Sequence, residues 1–183
     1  MSLPVTLALL DADDIARHIE DLTELVHACV HDGASIGFIL PHSRSDSRTF
    51  WRDKVAPAVR ERRRLLLIAW RDGRIAGSVQ LDHDTPANQP HRAEIRKLLV
   101  HPDFRRQGIA RRLMAEIESH AVTLKRSLLT LDTRTGDSAE PLYRSLGYQT
   151  TGIIPGYCRD TFTGRLDATT IMYKTLPLSA IDA

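Results

Sequence analysis

The residues Arg105-Arg106-Gln107-Gly108-Ile109-Ala110 put two guanidinium groups and a glycine where a strand-like segment gives way to an amphipathic helix. Gly108 lets backbone approach a ligand closely, and Ala110 keeps the first helical turn uncluttered. The unpaired N–H groups of that turn point at whatever lies in front of it. An anion there gains about 0.3–1 kcal/mol from the helix dipole at an exposed site, and neighbouring arginines add charge-assisted bonds to phosphate. The same residues also suit a plain tight turn with a solvated arginine pair.

Bulk charge says which anion to consider. Lys plus Arg number 25 against 23 Asp plus Glu, a net of only +2, yet 21 of those cations are arginine and four are lysine. A chain so near neutrality does not coat nucleic acid or membrane through overall charge, so a local cluster aimed at a small anion is the better reading. Arg105, Arg106, Arg111 and Arg112 form such a cluster around one glycine.

The elements that must hold this turn follow from hydrophobic periodicity. Residues 5–10 read as a strand. Ile15, Ile19, Leu22, Leu25, Val26 and Cys29 follow on one helix face after the acidic cap candidates Asp11–Asp14, and Gly33 ends that helix. A looser stretch from Gly33 leads to a second helical pattern over about 47–64. Strands at 65–70 and 75–81 flank Asp72-Gly73, a hairpin signature. Residues 93–100 form a strand stopped by Pro102, a helix starts near Gln107, and a further strand covers 127–133. Asp137-Ser138-Ala139-Glu140 reads as a capping box opening a short helix that ends at Gly147. Strands near 148–154 and 166–175 close the chain, with PGYCRDTFTG as a turn-rich connection. The pattern predicts a mixed α/β (α+β) fold in a single domain, residues 1–183.

In this setting LLVHPDFRRQGIARRLM (98–114), the strand LTLDT (129–133) and AEPLYRSLGY (139–148) resemble the GNAT acetyltransferase superfamily. The resemblance implies a twisted mixed sheet of six or seven strands with helices on both faces. Its central parallel strands, 93–100 and 127–132, splay to admit acetyl-CoA as cosubstrate. It assigns the cofactor to Leu98, Leu99, Val100, Arg105, Arg106, Gln107, Gly108, Ile109, Ala110, Arg111 and Ser138. Tyr143 then protonates the departing thiolate.

Further segments, GASIGF (33–38), RAEIRKLLV (92–100), KRSLLTLDT (125–133), and PGYC with GRLDATTIMYKTL (155–158, 164–176), are similar to the tabtoxin-resistance branch of that family, whose substrate is the amine of a β-lactam amino-acid toxin. This likeness implies Glu94 and Asp132 as bases. With the second helical pattern, Gly33, Ala34, Ser35, Ile36, Gly37 and Phe38 then wall the pocket of a small-molecule amine, with toxin resistance as the role. A protein N-terminal or lysine acetyltransferase, and a non-catalytic CoA-sensing or nucleic-acid-binding module, are the rival readings.

The chemistry requires such groups. A lysine-like ammonium of pKa about 10.4 must lose its proton before attack, which costs about 4 kcal/mol at neutral pH. Glu94 shares strand parity with Arg96, Leu98 and Val100, so it is expected on the cofactor side; Asp132 ends the neighbouring strand. Tyr143, protonated at neutral pH, can donate to sulfur. Each has a structural alternative: Glu94 paired to an arginine, Asp132 capping a loop, Tyr143 as a packed aromatic, Ser138 as a helix cap.

His27, Cys29 and His31 do not converge on one helix face, so no metal is expected. The run Arg60–Arg64 contains Glu61 and no aromatic residue, and reads as a solvated helix end rather than a nucleic-acid surface. Two cysteines outside any C-x-x-C pair read as free thiols in a reducing compartment. No long apolar run suggests membrane association, and the opening residues lack the features of a signal peptide. A cytoplasmic protein is expected, with a homodimer left open.

Overall fold

The computed structural model describes residues 4–177. Seven strands form one sheet in the order β1-β2-β3-β4-β5-β7-β6, antiparallel at every step except β4–β5. β1 is Thr6–Leu10, β2 Arg64–Arg71, β3 Arg74–Asp82, β4 Arg92–Val100, β5 Leu128–Arg134, β6 Gln149–Arg159 and β7 Leu166–Thr175. β2 and β3 meet through Asp72 and Gly73, both at positive φ (50° and 76°), the two-residue turn whose twist matches the strands.

Helices cover both faces. On one side α5 (Ile109–Thr123) buries Leu113, Met114, Ile117 and Ala121 against Val79, Ala93, Ile95, Leu129 and Met172. Each such side chain contributes about 1.5–3 kcal/mol when fully buried. α5 sits directly on β3 at Gly77, where a Cβ would come 2.6 Å from the Leu99 carbonyl and 3.2 Å from Leu113. On the other side α1 (Ala12–Arg17), α2 (Ile19–His31), α3 (Arg44–Thr49) and α4 (Ala56–Arg60) enclose Leu22, Leu25, Val26, Trp51, Leu66, Ile68 and Leu99. The short helix α6 (Ala139–Ser145) follows β5.

Four expectations are corrected. The first helix breaks at His18, whose φ and ψ of −105° and 22° leave the helical basin. The second begins earlier, at Arg44, under a capping box from Ser43 and Asp46, and widens into a π turn over Phe50–Val55. Pro57 follows that turn; having no N–H, it cannot bond the Asp53 carbonyl as a regular helix requires. Arg64, expected at the helix end, opens β2 instead. PGYC belongs to β6, not to a turn. Pro155 is tolerated because β6 is an edge strand, and the register with β7 shifts between Ile154 and Cys158.

Candidate functional site

β4 and β5 pair only at Arg92–Leu128, Ala93–Leu129 and Glu94–Thr130, and then separate. β5 remains bonded to β7 as far as Arg134, and β4 to β3 as far as Val100. Past Glu94 the facing edges of the two central strands therefore have no strand partner in each other. A cavity of about 770 Å³ occupies this opening, walled by residues 33–37, 95–100 and 132–134, the start of α5, and Tyr143. A second cavity of about 620 Å³, between Leu10, Asp13, Arg62 and Leu124, contains none of the predicted residues.

One end of the cleft is built for anions. Arg106 and Gly108 both take left-handed backbone, φ 61° and 77°, and Gly108 is the N-cap of α5 with no side chain capping it. Alternation of this kind turns successive N–H groups toward one concavity. A Cβ on Gly108 would meet nothing within 4 Å, so the space before the helix is open. Arg105 is ion-paired to Asp32 at the end of α2, and its Nε also donates to the Val100 carbonyl at 3.4 Å. Arg111 donates to Ser145 Oγ at 2.8 Å. Leu98, Leu99, Val100, Ile109 and Ala110 join the wall; Gln107 is exposed and stands outside it.

Tyr143 is buried at 6% exposure, against Tyr148. Burial, with Asp132 and Asp137 adding negative potential, raises its pKa above the ordinary phenol value, so its proton is firmly held at neutral pH. Ser138 lies on the cavity wall, and the predicted capping box there is not formed. Ser138 makes no cap bond; Glu140 instead accepts from the Gly136 N–H at 3.0 Å and pairs with Arg144 at 2.6 Å.

At the other end Gly33, Ala34, Ser35, Ile36 and Gly37 line the cavity. Phe38 turns away to pack on His42 and Phe50, and α3 and α4 contribute no wall residue. Asp132 is exposed into the cleft. Glu94 is not in the wall; it pairs with Arg96 at 3.7 Å. The expected parity fails because β4 bulges at Lys97 (φ 51°), where the register with β3 shifts between Ser78 and Gln80. Ala93 and Ile95 face the α5 core, yet Leu99 faces α2 while Leu98 and Val100 pack toward α5. The bulge exchanges the two faces of the strand, so Glu94 and Val100 lie on opposite sides.

Sequence reasoning missed Asp32, Lys97 and Arg134. Arg134 lies in the wall, bonding Asp137 (3.2 Å), Asp160 (3.1 Å) and the Gly33 carbonyl (3.4 Å), and so braces the loop after α2. Cys29 and Cys158 are free thiols. Among the described residues no group of three or more metal-ligating side chains converges, and no helix is long and apolar enough to cross a membrane.

The chain matches the acetyltransferase (GNAT) family over residues 30–148. An uncharacterised N-acetyltransferase of Azospirillum brasilense is 31% identical over 126 residues, 67% of this chain and 72% of that protein. A Salmonella typhimurium protein, solved with its cofactor acetyl-CoA, superposes with a TM-score of 0.75 at 18% identity over 99% of both chains. The ribosomal-protein-alanine N-acetyltransferase of Brucella melitensis gives 0.74 at 21% identity, over 93% of this chain and 99% of its own. At these identities the two structural likenesses speak for the fold.

Proposed function

Since the chain belongs to the acetyltransferase (GNAT) family and is an acyltransferase, we propose that it moves the acetyl group of acetyl-CoA directly to the amine of a small molecule, an amino-acid-like toxin or antibiotic. The observation that carries this reading is the continuity of the cleft. The open N-terminus of α5, the free edge of β4, Tyr143 and Asp132 all border one cavity. It is large enough for a thioester and a small acceptor side by side, within the ordinary size range of ligand pockets.

The residues fit acetyl-CoA. Its pyrophosphate would lie before Gly108, where Arg106 and Arg111 supply planar donors, and pantetheine amides would pair with the β4 edge that β5 leaves open. Asp132 removes one proton from the acceptor ammonium. The neutral nitrogen attacks the thioester carbon, the C–N bond forms and the C–S bond breaks. Tyr143 O–H gives its proton to the sulfur and is replenished by the second proton leaving nitrogen, so one proton is released overall. Glu94, on the Asp132 face of the sheet, adds negative potential beside the base. Ser138 and the 33–37 loop complete the cofactor and acceptor walls. We place the whole activity in a single domain, because one sheet runs through the described residues, and in the cytoplasm, where acetyl-CoA is available.

The test is thiol release from acetyl-CoA with a panel of amino acids, aminoglycosides, polyamines and peptides. Turnover with free small amines supports the reading. Turnover confined to peptides favours the protein-acetylating alternative. DNA retention that weakens steeply with salt, without thiol release, points to a binding module.

A further inference from the structure

The chemistry proposed above gives no task to Lys97. The β4 bulge turns this residue into the cleft, beside the loop after α2: a Cβ placed on Gly37 would lie 3.7 Å from its Nζ. It shares the cavity wall with Asp132. The other cations of the wall are accounted for. Arg96 pairs with Asp82 at 3.3 Å, Arg105 with Asp32, and Arg134 with Asp137 and Asp160. Arg106 and Arg111 stand at the glycine turn where the phosphates are placed. Among the described residues Lys97 forms no ion pair, and neither does Asp132.

Burial, with Arg96 and Arg64 adding positive potential, draws the Lys97 pKa below the ordinary lysine value, although Asp132 and Glu94 lie near enough to favour its charge. A partly desolvated ammonium without a counter-ion is an electrostatic deficit that a ligand anion can fill. The acceptor end of the cleft thus presents one unpaired cation and one unpaired anion, the complement of a zwitterion.

Resting on the small-amine reading of the cleft, we infer that Lys97 holds a carboxylate of the acceptor, whose ammonium lies on Asp132. The substrate is then an α-amino acid or a close analogue with its carboxylate free. A peptide N-terminus carries an amide at that position and would leave Lys97 unpaired. Lys97 is thereby a specificity-determining residue, and selection acts through a partly buried charge rather than through pocket shape.

The experiment measures thiol release by the full chain with acetyl-CoA and matched acceptors, the common L-amino acids and their carboxamides. The wild-type protein should use the acid over its own amide by tenfold or more in kcat/KM. Lys97→Met should cut that ratio at least tenfold, mainly by raising KM for the acid, and Lys97→Arg should restore most of it. Equal use of acids and amides by the wild type overturns the inference and needs no variant to fold. Loss of acid and amide turnover alike in Lys97→Met also overturns it, because Lys97 would then serve proton transfer or structure. Release with peptides alone, or with none of these amines, sinks the small-amine reading itself.

Discussion

Tyr143 stands edge-on to Tyr148, with ring centroids 5.8 Å apart and planes inclined at 62°. The contact fixes the ring of Tyr143 through its apolar body and leaves its hydroxyl as the functional end. Replacing that hydroxyl alone therefore separates chemistry from packing.

Tyr143→Phe keeps the aromatic contact and the cavity wall. Affinity for acetyl-CoA should stay within about twofold, while kcat should fall by about 10²-fold, the lower range for a lost general acid. Calorimetry with CoA and steady-state turnover measure the two quantities. Unchanged turnover would remove Tyr143 from the mechanism.

Gly108 is at φ 77° with open space before it, so a side chain there is opposed by backbone strain and by the ligand, not by a neighbour. Gly108→Val should cost about 1–2 kcal/mol in the left-handed conformation and weaken acetyl-CoA binding more than tenfold. Gly108→Asn, which tolerates that conformation, should strain the turn less and lose less affinity. Wild-type affinity in the valine variant would mean that the phosphates do not lie at this turn.

Asp132→Asn should lower kcat/KM about 10²-fold at pH 7. The deficit should shrink toward pH 9.5, because bulk neutral amine rises about tenfold per pH unit below the amine pKa. A deficit independent of pH would assign Asp132 to binding alone.

Cys29 is buried beneath the cleft, its Sγ donating to the Val100 carbonyl at 3.5 Å, and burial pushes its pKa from 9.0 up to about 11. The unfolded chain sheds this proton first as pH rises, so the thiol costs nothing below pH 9. Stability then declines between pH 9 and 11, by about 2 kcal/mol at pH 10.5. Urea unfolding at pH 8 and 10.5 should show this loss in the wild type and a smaller one in Cys29→Ala. The buried tyrosines, whose pKa values are also raised, add a loss of the same sign to both proteins from about pH 10 upward, so the comparison rests on the difference between the two. Equal losses in the two proteins would contradict a buried, hard-to-ionise thiol.

Much of the fold was legible because long periodic segments leave few alternatives. The α5 stripe Leu113, Ile117 and Ala121, and the hairpin at Asp72-Gly73, appear where periodicity and turn chemistry put them. The anion turn was legible for the same reason, since glycine before an amphipathic helix has local causes. What escaped was non-local. Nothing in RAEIRKLLV announces that Lys97 adopts left-handed backbone, because lysine has no preference for it; the bulge shows only in how β4 pairs with β3. The parity that puts Glu94 on the cofactor side holds only as far as Arg96. Phe38 fits the wall motif in sequence, but His42 and Phe50 offer it a better apolar surface.

Because β4 exchanges its faces at one residue, its two halves answer to different demands. Before the bulge the even-numbered residues Glu94 and Arg96 share the Asp132 face, and after it the even-numbered Leu98 and Val100 pack toward α5. Substitutions at Glu94 and Arg96 can retune which molecule is modified without disturbing the donor's seat. A lineage could thus change targets while inheriting its acetyl source intact, whereas deleting a single residue at the bulge would re-phase the strand and forfeit both.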